Sequence, residues 1–407
     1  MERVNIYETS PPFRSEGSFL VSHKFLFDSD ILDRLFIYTR NMTVQNSSLL
    51  NISYLSLFSL WAASYFVAIP VPVNLIAQAT LIVYIGSYRS LNLLVKEADG
   101  GPKSQDTEVM SVNDAYKFPI VGSAALFGLY VAFKYFDKDT VNLILSLYFS
   151  VVGVFALTGS FSSFASLYIT SKKQYGFKKT FPLIGEIDML CTPAEILCLI
   201  LSTIFSVVYF KTKHYMMNNI FGICFCIQSI ERISVGSYKI GAILLIGLFF
   251  YDIFWVFGTD VMVTVAKSFD GPIKLLFPVI LPTLEDKGKF SLLGLGDIVI
   301  PGLFVALLLR FDAMRSKVAL VKGIETSSFS SPYFMMNIFC YALGLGCTVG
   351  VMYFFKAAQP ALLYLVPACL GGSLAVGTAR GELSALFAYE EESAEKKEGE
   401  EATKKTD

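Results

Sequence analysis

The chain has 407 residues, of which 54% are hydrophobic, 16% are charged and 14% are aromatic, and its formal net charge is −1. Soluble domains carry roughly a quarter charged residues, so this composition excludes an ordinary soluble globule. The near-zero charge also gives no electrostatic case for a nucleic-acid partner.

Residues 1–50 are mixed and polar. They lack a basic stretch followed at once by an apolar core, so a cleaved signal peptide is not expected. Three acceptor sequons cluster there, at Asn41, Asn46 and Asn51, and point to a glycosylated, lumenal N-terminus. An apolar stretch then runs from about 49 to 86, too long for one helix, and Pro70 and Pro72 divide it. Its first part, 52–66, reads either as a short span or as an interfacial helix.

A spanning helix needs about 20 mostly apolar residues. Nine such segments follow, near 67–87, 119–135, 142–158, 193–210, 217–233, 240–259, 292–311, 333–355 and 359–379. Their length and lack of alternation predict helices rather than strands, so the expected fold class is an all-α polytopic membrane protein. Nine spans and a lumenal N-terminus place about 19 Lys and Arg on the cytosolic side and about nine in lumenal connections, in line with the positive-inside rule. The connection carrying Lys267, Lys274, Lys287 and Lys289 runs against that trend. Were 52–66 also to span, the count would be ten and the orientation would change.

The seven cysteines are odd in number and sit in or beside apolar runs. That pattern suits small packing residues better than a disulfide framework. The tail from about Tyr389 is rich in Glu and Lys and is expected to be disordered. It ends in Lys404-Lys405-Thr406-Asp407, which is similar to the dilysine retrieval signal of endoplasmic-reticulum membrane proteins and requires a cytosolic C-terminus.

Ionisable groups inside a span suggest function by default. Asp252 follows the unbroken apolar run 240–251, and Asp297 lies in Gly294-Leu295-Gly296-Asp297 before Ile298-Val299-Ile300. Asp260, Asp312, Glu382, Glu195 and Glu231 lie near span ends and read as interfacial charges. Counting residues places Asp252 and Asp297 roughly 8–10 Å below one membrane face on consecutive antiparallel helices. Two close carboxylates do not ionise together easily. One can then serve as general base on a water while the protonated one polarises a carbonyl and assists the leaving amine. The pair titrates as a unit. Gly294 and Gly296 would allow close backbone approach and loosen the local helix. Gln359-Pro360-Ala361-Leu362 opens the last span, where proline is ordinary.

Other chemistries find no support. His23 and His214 are the only histidines and neither lies deep in a span, which leaves no His-Glu-x-x-His zinc helix, no Ser–His dyad and no Cys/His metal spacing. No cofactor is expected. On these residues alone, a channel or transporter using paired aspartates for cations or protons stays level with hydrolysis. A non-enzymatic binder of escort or degradation factors is a further reading, and it makes both aspartates dispensable.

Taken jointly, Tyr251-Asp252, Gly294-Leu295-Gly296-Asp297 and Gln359-Pro360-Ala361-Leu362, in this order on three late segments, resemble the signature of intramembrane aspartyl proteases of the presenilin and signal peptide peptidase type. The resemblance covers about 117–381. The short connection 260–291 favours the signal peptide peptidase branch, because presenilins carry a much longer loop there. The resemblance implies a presenilin-like protease fold, with Asp252 and Asp297 as the catalytic pair. It implies that Pro360-Ala361-Leu362 shapes the site and that Gly294 and Gly296 form a flexible turn. Implied substrates are remnant signal peptides and other type II-oriented helices in the endoplasmic-reticulum membrane. Further copies of the chain, or endoplasmic-reticulum degradation complexes, are the candidate assembly partners. The expected organisation is then a lumenal segment (1–50), transmembrane helices 1–5 (51–235), catalytic helices 6–9 (236–381) and a disordered cytosolic tail (382–407).

Overall fold

The computed structural model describes residues 46–98, 108–168, 175–181, 185–282, 288–316, 329–355 and 359–391. Asn41, His23 and the Lys404-Lys405 pair lie outside them. Ten helices of 18 residues or more run through the described chain: α1 (Asn46–Phe66), α2 (Val71–Ala98), α3 (Val112–Tyr135), α4 (Lys138–Tyr168), α5 (Pro193–Thr212), α6 (Tyr215–Arg232), α7 (Tyr238–Phe257), α9 (Gly296–Arg315), α10 (Pro332–Phe355) and α11 (Leu362–Arg380). Two short helices, α8 (Val261–Ser268) and α12 (Leu383–Ala388), follow α7 and α11.

Helices dominate because a chain in lipid must satisfy its backbone groups internally. Several starts are encoded locally. Ser111 and Asp114 cap each other's backbone at the start of α3. Thr192 and Glu195 do the same at α5, with Pro193 in the first turn. Such a cap contributes about 1 kcal/mol. Glu195, expected to be an interfacial charge, is thus a capping residue.

Eight helices are long and apolar enough to cross a membrane; α6 and α9 are not among them. Their position explains why. Every residue of α9 from Pro301 to Ala313 is buried, and α2, α6, α7, α10 and α11 all pack against α9. Eleven residues of α6 are buried, including Asn218, Asn219 and Gln228. Helices screened from lipid by other helices do not have to be uniformly apolar. The outward faces of α1, α4 and α5 carry exposed Leu55, Phe58, Leu143, Leu147, Ile200 and Ile204, as lipid contact requires.

Strands appear in the connections. β2 (Tyr175–Phe181) and β3 (Gly185–Cys191) form an antiparallel hairpin, as do β5 (Lys274–Ile280) and β6 (Lys289–Gly294), while β1 (Glu108–Val109) and β4 (Ile233–Ser234) pair in parallel. The expectation of helices alone missed all six, since short apolar runs do not distinguish strand from helix.

Four other expectations change. The ambiguous segment is a full helix, α1. The chain breaks after Phe66, and α2 starts only at Val71, with Pro72 in its first turn, where proline's missing N–H is harmless. The second catalytic-type span does not begin at 292: residues up to Gly294 belong to β6, and α9 starts at Gly296.

The C-terminal boundary also moves, because residues 382–391 are folded. α12 follows Gly381, which takes the left-handed conformation (φ 66°) at the end of α11. Tyr389 is buried against Phe311, with ring centroids 5.2 Å apart. Glu391 pairs with the buried Arg310 at 2.6 Å.

Finally, Asp312 is not a solvated interfacial charge. It is 1% exposed and accepts the Phe334 N–H, from the first turn of α10, at 2.9 Å. Glu231 pairs with Arg89 at 2.7 Å, and Glu382 with Arg315 at 3.1 Å. Asp260 remains exposed, as expected.

Candidate active site

Asp252 lies on α7 and is 3% exposed. Pro360 stands two residues before the start of α11 at Leu362, and the first N–H groups of a helix have no acceptor within it. The Leu362 N–H points at Asp252 and donates to its Oδ2 at 3.0 Å. Pro360, Ala361 and Leu362 are all buried beneath this contact. The Gln359 amide oxygen accepts from the Tyr364 hydroxyl at 3.4 Å, one turn into α11. Pro360-Ala361-Leu362 is therefore not merely a helix boundary: it aims a helix N-terminus at a buried carboxylate.

Asp297 is the second residue of α9 and is half-buried. The chain reaches this depth as a strand, not as a helix. The β5–β6 hairpin carries Leu275, Phe277 and Leu293 into the core and delivers Gly294 directly to the first turn of α9. α7, which carries Asp252, and α11, which opens at the third motif, both pack against α9, which carries Asp297. The three sequence motifs therefore meet at one place. Residue counting anticipated the meeting but misjudged the path, since it assumed a helix from 292. The N-terminus of α11 meets Asp252 and favours negative charge there.

The glycines have different parts. Neither Gly294 nor Gly296 has positive φ. A Cβ at Gly294 would stand 3.3 Å from Asp297 Oδ2, whereas one at Gly296 would meet only Ile300 Cδ1, at 4.0 Å. Gly294 thus makes room for the carboxylate rather than for another backbone. Gly294→Ala is expected to shift that carboxylate by a few tenths of an ångström and lower kcat roughly tenfold. Gly296→Ala should cost less, and turnover measured on the two variants side by side checks the order.

Sequence reading missed Tyr341. Pro301 has no N–H, so the carbonyl of Asp297, four residues earlier, loses its helical partner. The Tyr341 hydroxyl of α10, fully buried, donates to that carbonyl at 3.3 Å. Proline at the fourth residue after Asp297 was the available signal. Tyr251, beside Asp252, is half-buried with its ring facing Gly122 of α3. Leu295 packs on the core and its N–H donates to the Ile273 carbonyl at 3.0 Å. His214 caps the start of α6. Asn46 opens α1 and Asn51 lies within it.

A multi-helix membrane bundle that aims a helix N-terminus at a buried aspartate, on a helix packed against the one bearing a second aspartate, fits the class of intramembrane aspartic proteases. Residues 102–393 match the family model described as signal peptide peptidase, and the chain belongs to that family. It is 43% identical over 333 residues to the signal peptide peptidase of Mus musculus, covering 78% of this chain and 82% of the relative. It is 42% identical over 352 residues to that of Homo sapiens, covering 81% and 88%. It is also 37% identical over 359 residues to intramembrane protease 2 of Caenorhabditis elegans, covering 82% and 76%. The protein is thus an intramembrane aspartic protease acting within the bilayer, and the channel reading finds no support.

Proposed function

We propose that Asp252 and Asp297 are the catalytic pair, and that the protein hydrolyses remnant signal peptides and other type II-oriented transmembrane helices in the endoplasmic-reticulum membrane. The observation that carries this reading is the Leu362 N–H on Asp252, since it ties the third motif to the first beside the second. One carboxylate activates a water; the other, protonated, polarises the scissile carbonyl and assists departure of the amine.

A helical substrate hides its peptide bonds, so cleavage needs an extended segment at the aspartates. The hairpin supports a way to hold one. Leu276 turns its N–H and C=O away from β6, so in the antiparallel register Leu276↔Leu292 the backbone groups of Phe290, Leu292 and Gly294 point outward on β6. Among the described residues no strand pairs with that edge. A substrate strand added there runs past Gly294 toward Asp297.

The C-terminus is taken as cytosolic, where Lys404 and Lys405 would act in retrieval. The side of the N-terminus turns on α1. Nine crossings starting at α2 make it lumenal. α1, however, lies along α2, with Trp61 donating to the Met216 carbonyl near the start of α6 and Tyr54 meeting Arg89 toward the end of α2. That placement supports a tenth crossing, which moves the N-terminus to the cytosol. Arg34 and Arg40, within about 15 residues of α1, agree with it. Endoglycosidase treatment of protein made in microsomes is then expected to leave its gel mobility unchanged. A shift abolished by Asn41→Gln returns the N-terminus to the lumen.

The substrate class is tested by purified protein in liposomes given one helix in type II and in type I orientation. Cutting of the type II form alone is expected, and equal cutting of both would reject the orientation preference.

A further inference from the structure

The β5–β6 hairpin has two outer edges, and among the described residues only one is open. Lys274 and Leu276 lie two residues apart on β5, so their backbone groups face the same side. The Lys274 carbonyl and both backbone groups of Leu276 are taken by side chains near the start of α6. Asn219 Nδ2 donates to the Leu276 carbonyl at 2.8 Å, and the Leu276 N–H donates back to Asn219 Oδ1 at 2.8 Å. Asn218 Nδ2 donates to the Lys274 carbonyl at 2.8 Å and accepts the Tyr209 hydroxyl at 3.1 Å. The next position facing that side is Pro278, which has no N–H to offer. Asn218 and Asn219 are 4% and 2% exposed. The Asn219 amide presents one of its N–H groups and its C=O side by side, as one residue of an adjacent strand would present its backbone N–H and C=O, so Asn219 occupies the place a third strand would take.

We infer that Asn219 is a positioning and specificity residue. By closing the β5 edge it leaves β6 as the edge of this hairpin that no described strand or side chain occupies, and by fixing β5 it fixes the register in which the substrate passes Asp297. The inference rests on the strand-addition reading of the proposed function. A free edge on β5 would admit the same substrate on the other side of the hairpin and at a different register.

The test uses full-length protein in detergent and a type II-oriented transmembrane peptide, with products located by mass spectrometry. Asn219→Leu keeps the branching and the number of heavy atoms and removes both hydrogen bonds. The expected result is a rise in KM of about tenfold with a smaller change in kcat, and cleavage spread over neighbouring bonds where the parent cuts at one main position. A single unchanged cleavage position with KM within twofold of the parent would overturn the inference.

A second measurement needs no variant. A series of peptides, each N-methylated at one backbone position N-terminal or C-terminal to the scissile bond, should be cut with alternating sensitivity, because an added strand bonds to one edge through every second residue. Uniform sensitivity would overturn the inference. Asp252→Asn, run in parallel, separates the two failures: if it still cuts, the catalytic assignment is wrong, and if it does not, only the edge assignment is in question.

Discussion

Asp252→Asn and Asp297→Asn are each expected to lower kcat by at least about 10³-fold, and the double variant to fall no further. The two carboxyls form one unit, in which one activates water while the other holds the proton that polarises the carbonyl. Losing either removes the whole exchange, so the second loss has nothing left to subtract. Asparagine has nearly the same shape and keeps an oxygen that accepts the Leu362 N–H now bonded to Asp252. The variants should therefore fold as the parent does. Steady-state turnover of a fluorogenic transmembrane peptide checks this, alongside unfolding curves of the same preparations. Two independent losses that multiply would indicate separate roles for the aspartates.

Glu391→Ala is expected to destabilise the protein by roughly 3–5 kcal/mol, because it leaves Arg310 buried without its counter-charge. Arg310 sits on α9 and is 2% exposed. It donates to Glu391 at 2.6 Å and to Ser90 of α2 at 2.5 Å. Glu391 also takes hydrogen bonds from Ser234 and from Tyr389, and its own N–H donates to the Gly236 carbonyl at 2.6 Å. The segment after α12 therefore pins the helix that bears Asp297 to α2 and to the end of α6. Replacing both partners with apolar residues, Arg310→Met with Glu391→Met, should cost much less than Glu391→Ala alone. A chain ending at Glu391 keeps the pair and should unfold at the parent temperature, whereas one ending at Tyr389 should not. Thermal unfolding midpoints in one detergent order the four proteins.

The helices and the aspartate pair were legible because both follow from local sequence. Apolar runs of helical length report spans, and a carboxylate inside such a run stands out against the cost of burying it. Three features were not legible, each for a physical reason. The hairpin was hidden because runs such as Lys274–Ile280 have no pattern that separates a buried strand from a helix turn. The Arg310–Glu391 pair joins residues 81 apart, and composition alone makes the tail look wholly solvated, although its first residues dock on α9. Asn218 and Asn219 look like ordinary polar residues at a helix start; only the strand packed beside them shows that their amides complete a sheet edge. Asp312 was misjudged for a related reason. Its distance from the span end was read as exposure, while the neighbouring helix start buries it and donates to one of its oxygens.

The central claim is that these two aspartates perform peptide hydrolysis inside the membrane. Its most direct test is cleavage of one type II-oriented transmembrane peptide by the purified protein in detergent, with Asp252→Asn and Asp297→Asn assayed beside it at matched unfolding midpoints. The parent should release two fragments whose masses sum to the substrate plus one water, and neither variant should release them at a measurable rate. Fragments of the same masses from either folded variant, at a rate near the parent's, would contradict the account.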